Sequence, residues 1–170
     1  RLRCHIKTHE PPLYHGGLSQ RCGILREIFD HPAITTDVIA GFPGETEEEF
    51  EETRRFLETV RFYEMHVFKY SKRQGTRAAV MEDQVSEQVK ARRSDVLLEL
   101  EKTMSREYRE RFAGSRVSVL FEEAAEIGEM VYDGPYSQYV RAALPLEDGM
   151  NREEFGGRIM VAFCFRAAER

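Results

Sequence analysis

Two stretches hold residues whose types and spacing could do chemistry. The first is Gly41-Phe42-Pro43-Gly44-Glu45-Thr46, followed at once by Glu47, Glu48 and Glu49. Two glycines around a Phe-Pro pair let the backbone turn sharply and pass close to a ligand with no Cβ in the way. A helix opening after such a loop usually attracts anions. Here three glutamates already fill the first turn and complement the helix dipole, so a triphosphate would meet like charge. The loop suits a neutral, flat group such as a nucleoside base, held by backbone groups and by Ile39 and Phe42. The same residues also suit a plain strand-to-helix connection.

The second stretch is Lys69-Tyr70-Ser71-Lys72-Arg73-Gln74-Gly75-Thr76-Arg77. Lys69, Lys72, Arg73 and Arg77 place four positive charges within nine residues, a handle for a carboxylate or a phosphate backbone. Taken alone it reads first as a solvated basic loop, and its place beside the first stretch is what favours the ligand reading. The three cysteines, Cys4, Cys22 and Cys164, are too few and too scattered for a disulfide scaffold. Cys4 with His5, His9 and His15 matches no standard zinc-finger spacing. No acid–base catalyst and no metal ligand is assigned.

The elements that must position these loops follow from hydrophobic period. Val38, Ile39 and Ala40 form a short apolar run between turn residues, which predicts a parallel strand over 34–41 covered on both faces. Thr46 and Glu49 have capping-box spacing and open a helix over 47–61, with Phe50, Phe56, Leu57 and Val60 inward. Residues 63–70 then alternate as a second strand, with Met65 and Val67 on one face and His66 as an ordinary wall residue. A strand, helix and strand in that order make a right-handed parallel unit. Both loops then sit at the carboxyl ends of neighbouring strands, where ligand loops gather.

Upstream, Ile24, Leu25 and Ile28 predict a short helix over 21–30. Residues 1–20, broken by Pro11-Pro12 and Gly16-Gly17, read as an irregular leader. Downstream, Ser86 caps a long helix to Phe112, with Val89, Val96, Leu97, Leu100, Met104, Tyr108 and Phe112 as its apolar stripe. Lys90, Arg92 and Arg93 fall on its solvated outer face in this reading. Beyond Ala113-Gly114-Ser115 the period changes to strands, over 117–122, 130–134, 139–144 and 158–165. Such short strands make a small closed barrel.

Residues 37–46 and 68–79, as quoted above, resemble the radical S-adenosylmethionine methylthiotransferases. They are most like the branch that methylthiolates N6-threonylcarbamoyladenosine in tRNA. The resemblance implies an α/β chain: the C-terminal part of a partial (β/α) radical-SAM barrel over 21–113, then a small all-β, TRAM-like barrel over 114–170. It implies S-adenosylmethionine and [4Fe–4S] clusters as cofactors and a methylthio group placed on C2 of a modified adenosine. By the same resemblance Ile39, Gly41 and Phe42 lie near the cofactor's adenosine, with Ser71, Arg73 and Thr76 from the second loop. tRNA is the implied partner, met by Lys69, Lys72 and Arg77 and by Tyr136, Tyr139 and Arg141 of the small barrel.

Thiolates hold such clusters, and the family's cluster loop is Cys-x3-Cys-x2-Cys. No such loop occurs in this chain. We therefore expect a C-terminal portion that is inactive alone, with a missing N-terminal half as one candidate partner. Two alternatives stand beside this reading: a fragment of the ribosomal-protein aspartate methylthiotransferase, and a non-enzymatic RNA- or protein-binding remnant.

Composition is that of a soluble globular chain, 41% hydrophobic and 32% charged, with a net charge of −5. No apolar run approaches the roughly 20 residues of a membrane span, and Arg1-Leu2-Arg3-Cys4-His5 has no signal-peptide core. The expectation is a cytoplasmic protein with no membrane partner. From Ser115 onward six arginines and no lysine face ten acids, a net of −4. That repels phosphate, so RNA affinity should reside in the basic loop.

Overall fold

The structure, a computed structural model, describes residues 15–120, 123–127, 129–135, 141–145 and 159–163. The chain divides into two units, Arg1–Ser105 and Arg106–Arg170. In the first, α1 (His15–Ile28) leads to β1 (Thr35–Ala40), α2 (Glu47–Val60), β2 (Glu64–Lys69) and the start of α3 (Glu87–Glu110). Strands β1 and β2 pair in parallel, with Val38 opposite Val67 and Ile39 opposite Phe68. The α/β architecture and the strand–helix–strand unit read from the sequence are present.

The alternation along β1 decides where the core lies. Val38 and Ala40 are buried with Met65 of β2, and Cys22 of α1, Phe50, Leu57 and Val60 of α2, Phe62 between α2 and β2, and Leu97 and Met104 of α3 complete the cluster. The opposite face holds Asp37 and Ile39 of β1 and their partners His66 and Phe68 of β2, all exposed. Ile39 is 53% and Phe68 54% exposed. Coverage on both faces is therefore not found, because the described helices supply apolar partners to one face only. His66 is an exposed side chain and no wall residue.

Helix α1 begins at His15, inside the stretch expected to be irregular. Leu18 and Cys22, one turn apart, both reach the core, and that packing outweighs the poor helix propensity of Gly16 and Gly17. Ile24, Leu25 and Ile28, whose spacing suggested the helix, point outward instead.

Helix α3 is capped by Ser86, whose hydroxyl accepts from the Val89 N–H at 3.3 Å. Its buried positions are Lys90, Arg93, Ser94, Leu97, Met104, Ser105 and Tyr108, a repeat of three and four residues. Val96 is exposed. The inward stripe thus runs through Lys90 and Arg93, which the sequence reading had placed on the solvated face.

In the second unit β3 (Arg116–Leu120) pairs antiparallel with β7 (Ile159–Phe163). The strands β4 (Glu123–Ile127), β5 (Glu129–Pro135) and β6 (Arg141–Pro145) form an antiparallel sheet in that order. Strand β4, Glu-Ala-Ala-Glu-Ile, was not foreseen, since alanine and glutamate are poor strand formers. Its ladder to β5, from Glu123 opposite Asp133 to Ile127 opposite Glu129, supplies what propensity does not. Among the described residues no helix is long and apolar enough to cross a membrane.

The phase of α3 is open to measurement. Leu97 is 1% exposed, so Leu97→Ala should cost about 2–5 kcal/mol in urea unfolding. Val96→Ala should change stability by less than about 0.5 kcal/mol. Equal losses at the two positions would show that the helix faces the core differently.

Candidate functional site

The 41–46 loop leaves β1 through a tight turn. Gly41 has φ +73° and Gly44 φ +82°, values that L side chains adopt only with strain. The Glu45 N–H donates to the Phe42 carbonyl at 2.9 Å and the Gly44 N–H to the Asp83 carbonyl at 2.7 Å. The capping box is formed: the Thr46 hydroxyl accepts from the Glu49 N–H at 3.2 Å, and the Glu49 carboxylate accepts from the Thr46 N–H at 2.9 Å. Glu47, Glu48 and Glu49 occupy the first turn of α2. An added anion there would meet carboxylates already paired with the helix end.

What holds the loop in shape is Arg93 of α3, only 3% exposed. Its Nη1 donates to the Glu45 carboxylate at 2.6 Å and to the Glu45 carbonyl at 3.0 Å. Its Nη2 donates to Glu47 at 3.1 Å, and its guanidinium lies 5.3 Å from the centre of the Phe50 ring. Arg92 adds a second donor to Glu47 at 2.6 Å. The Glu45 carboxylate in turn accepts from the Gly41 N–H at 2.8 Å. The chain of contacts runs from α3 through Glu45 to the first residue of the loop.

The two acids respond oppositely to this setting. Burial pushes the Glu45 carboxyl above its ordinary value, against the Gly41 N–H and Arg93, which favour the charged form. Hydrogen bonds from Arg92 and then Arg93 hold the exposed Glu47 below its ordinary value.

The second loop starts beside the first. The Tyr70 N–H donates to the Ala40 carbonyl at 2.9 Å, and the Tyr70 ring meets Phe42 edge-on at 5.3 Å. The Tyr70 hydroxyl is buried with no hydrogen-bond partner among the described residues. Lys90 of α3 lies with its Nζ 5.4 Å from the centre of the same ring. Thr76 shapes the loop itself: its hydroxyl donates to the Arg73 carbonyl at 2.8 Å and accepts from the Ala79 N–H at 3.3 Å. That caps a short 3-10 turn, Arg77–Val80.

The sequence-derived site residues fall into three groups. Gly41 and Phe42 stand in the first loop, and exposed Ile39 lies one residue before the end of β1. Lys69, Ser71, Lys72, Arg73, Thr76 and Arg77 are all exposed along the second loop. Tyr136 and Tyr139 lie outside the described residues, and of Arg141 only the backbone is described, at the start of β6 opposite Pro135. Glu45, Lys90 and Arg93 were missed as site residues. The last two are in phase with Leu97, so the helical period alone could have turned them inward. Among the described residues no group of three or more His, Cys, Asp or Glu side chains could hold a metal. Cys22 is buried in the core, while Cys4 and Cys164 lie outside the described residues.

No family model matches the chain. Individual proteins do. Over 110 residues it is 46% identical to the tRNA-2-methylthio-N(6)-dimethylallyladenosine synthase of Acetivibrio thermocellus, covering 65% of this chain and 23% of that protein. Over 106 residues it is 46% identical to the threonylcarbamoyladenosine tRNA methylthiotransferase of Bacillus subtilis, covering 62% of this chain and 24% of that protein. This segment belongs to the methylthiotransferase family. A third relative, the ribosomal protein uS12 methylthiotransferase of Anaeromyxobacter, is 42% identical over 114 residues, 67% of this chain and 24% of that protein. The methylthiotransferase segment thus spans less than a quarter of the length of these curated relatives.

In this methylthiotransferase segment the raised Glu45 fixes the pH behaviour of the loop. A carboxyl whose folded value is raised stabilises the fold below its unfolded value and loses that contribution as pH rises through the folded value. Arg93→Met removes the cation that offsets this loss and leaves a buried carboxylate without its charge partner, a change that costs about 3–5 kcal/mol where both groups are charged. The variant's deficit should therefore grow as pH rises through the Glu45 value and shrink below it. Denaturant unfolding of both proteins across a pH series checks this, and a deficit that grows towards acid would contradict it.

Proposed function

We propose that this chain is part of a radical S-adenosylmethionine methylthiotransferase that modifies an N6-substituted adenosine in tRNA, with N6-threonylcarbamoyladenosine as the nucleoside. The observation that carries the reading is that two loops, 41–46 and 70–77, leave the carboxyl ends of adjacent parallel strands side by side. They occur in a chain that over 110 and 106 of its residues is 46% identical to two tRNA-modifying relatives. Ile39, Gly41 and Phe42, with Ser71, Arg73 and Thr76, would hold the adenosyl part of S-adenosylmethionine. An uncharged flat group fits there, since exposed Ile39 and half-buried Phe42 offer apolar surface and the glutamates of α2 exclude an oligophosphate. When bound, S-adenosylmethionine supplies the transferable methyl group and the radical source.

In this reading Ile39, Gly41, Phe42, Ser71, Arg73 and Thr76 position the cofactor and do not exchange protons. The [4Fe–4S] group does not fit them: the sequence lacks Cys-x3-Cys-x2-Cys, and the described residues hold no metal-ligand cluster. No step of this reading passes through a cluster here, and the residues of this segment alone are expected to be inactive, with cluster ligands supplied from outside them. Lys69, Lys72, Arg73 and Arg77 form the phosphate-facing side, supported by their exposure. A cytoplasmic location accords with a tRNA substrate. A second reading, methylthiolation of a ribosomal protein, is favoured by the uS12 relative and by the acidic residues beyond Ser115, which would suit a basic protein.

Fluorescence anisotropy with tRNA over a salt series separates the two. Arg73→Ala with Arg77→Ala should weaken binding and flatten the salt slope by about one unit for each lost contact. An unchanged slope would remove the RNA-binding role of this loop.

A further inference from the structure

Lys90 is 4% exposed, an uncommon place for a lysine. Its Nζ bonds Glu87 at 2.7 Å, but the Glu87 side chain is 82% exposed. An ion pair with so wet a partner does not by itself require burial of the lysine. Two other contacts account for it. The stem of Lys90 lies against Gly41, where a Cβ would overlap the Lys90 Cγ. The ammonium faces the Tyr70 ring, in the attractive range for a cation over an aromatic face.

These contacts belong to different loops. Gly41 opens the first, and Tyr70 opens the second. Phe42 and Tyr70 meet directly as well, so Gly41, Lys90, Tyr70 and Phe42 close a circuit with α3 as its rigid side. We infer that Lys90 is a positioning residue that sets the spacing between the 41–46 and 70–76 loops, and with it the width of the proposed adenosyl cleft. The inference rests on the cofactor reading above. It also gives Gly41 a second reason to be glycine besides its positive φ: the missing Cβ is the space that Lys90 fills.

Lys90 supplies two separable things, a stem to the first loop and a charge to the second. Lys90→Met keeps most of the stem and loses the charge, whereas Lys90→Ala loses both. Hydrogen exchange of the whole chain, followed by mass spectrometry, reads the loops separately. In Lys90→Ala the amides of both loops should exchange roughly tenfold faster than in wild type once the uniform change that any shift of the unfolding midpoint imposes on the 97–104 amides of α3 is subtracted. In Lys90→Met the 41–46 loop should remain slow and only the 70–76 loop should quicken. Wild-type exchange in both loops of Lys90→Met, or a response of one loop alone in Lys90→Ala, overturns the inference. Should Lys90→Ala fail to fold, the Lys90→Met pattern decides. Calorimetry with S-adenosylhomocysteine separates the premises: Lys90→Ala should bind it roughly tenfold more weakly, and Val96→Ala as wild type does. If the wild type binds none, the cofactor reading fails, and the exchange pattern alone decides the role of Lys90.

Discussion

A guanidinium taken out of water dominates the first unit. Arg93 is buried on α3 and meets Glu45 and Glu47 with charge-assisted bonds, which offset part of the desolvation of a buried charge. An arginine suits the task because its planar fork reaches the Glu45 carbonyl, the Glu45 carboxylate and Glu47 from one fixed plane. The Glu45 carboxylate then orients the Gly41 N–H. Removing any part of this chain leaves a buried charge or an unpaired amide at the mouth of the loop.

The one-sided sheet gives that arrangement its direction. Apolar residues from all three helices of the first unit gather on the face of Val38, Ala40 and Met65. The other face leaves Ile39 and Phe68 open, side by side in register and next to the 41–46 loop. Loops keep one geometry only when their own side chains are locked. Here Arg93 locks the first loop, and the Tyr70 N–H bond to Ala40 ties the second to the end of β1.

Local rules made much of this legible. The capping box at Thr46 and Glu49, the apolar run at Val38–Ile39–Ala40 and the period of α2 each depend on neighbours in sequence, so they read correctly from sequence. What escaped depends on distant partners. Lys90 and Arg93 look like surface residues until Gly41, Tyr70 and Glu45 are brought beneath them, since charged side chains are normally assigned to water. The start of α1 was hidden by two glycines whose cost is met by Leu18 and Cys22 in the core. Strand β4 was hidden by alanines and glutamates whose place is fixed by β5. Ile39 was read as lying in a strand covered on both faces, because an apolar strand residue gives no sign of which face its own chain leaves open.

The most direct measurement is a double-mutant cycle between Arg93 and Glu45, using Arg93→Met, Glu45→Ala and the pair together in urea unfolding at neutral pH. If the guanidinium holds the loop through this carboxylate, the losses are non-additive, with a coupling of about 1–3 kcal/mol. Losses that add to within about 0.5 kcal/mol would mean that Arg93 and Glu45 act independently and that something else shapes the loop.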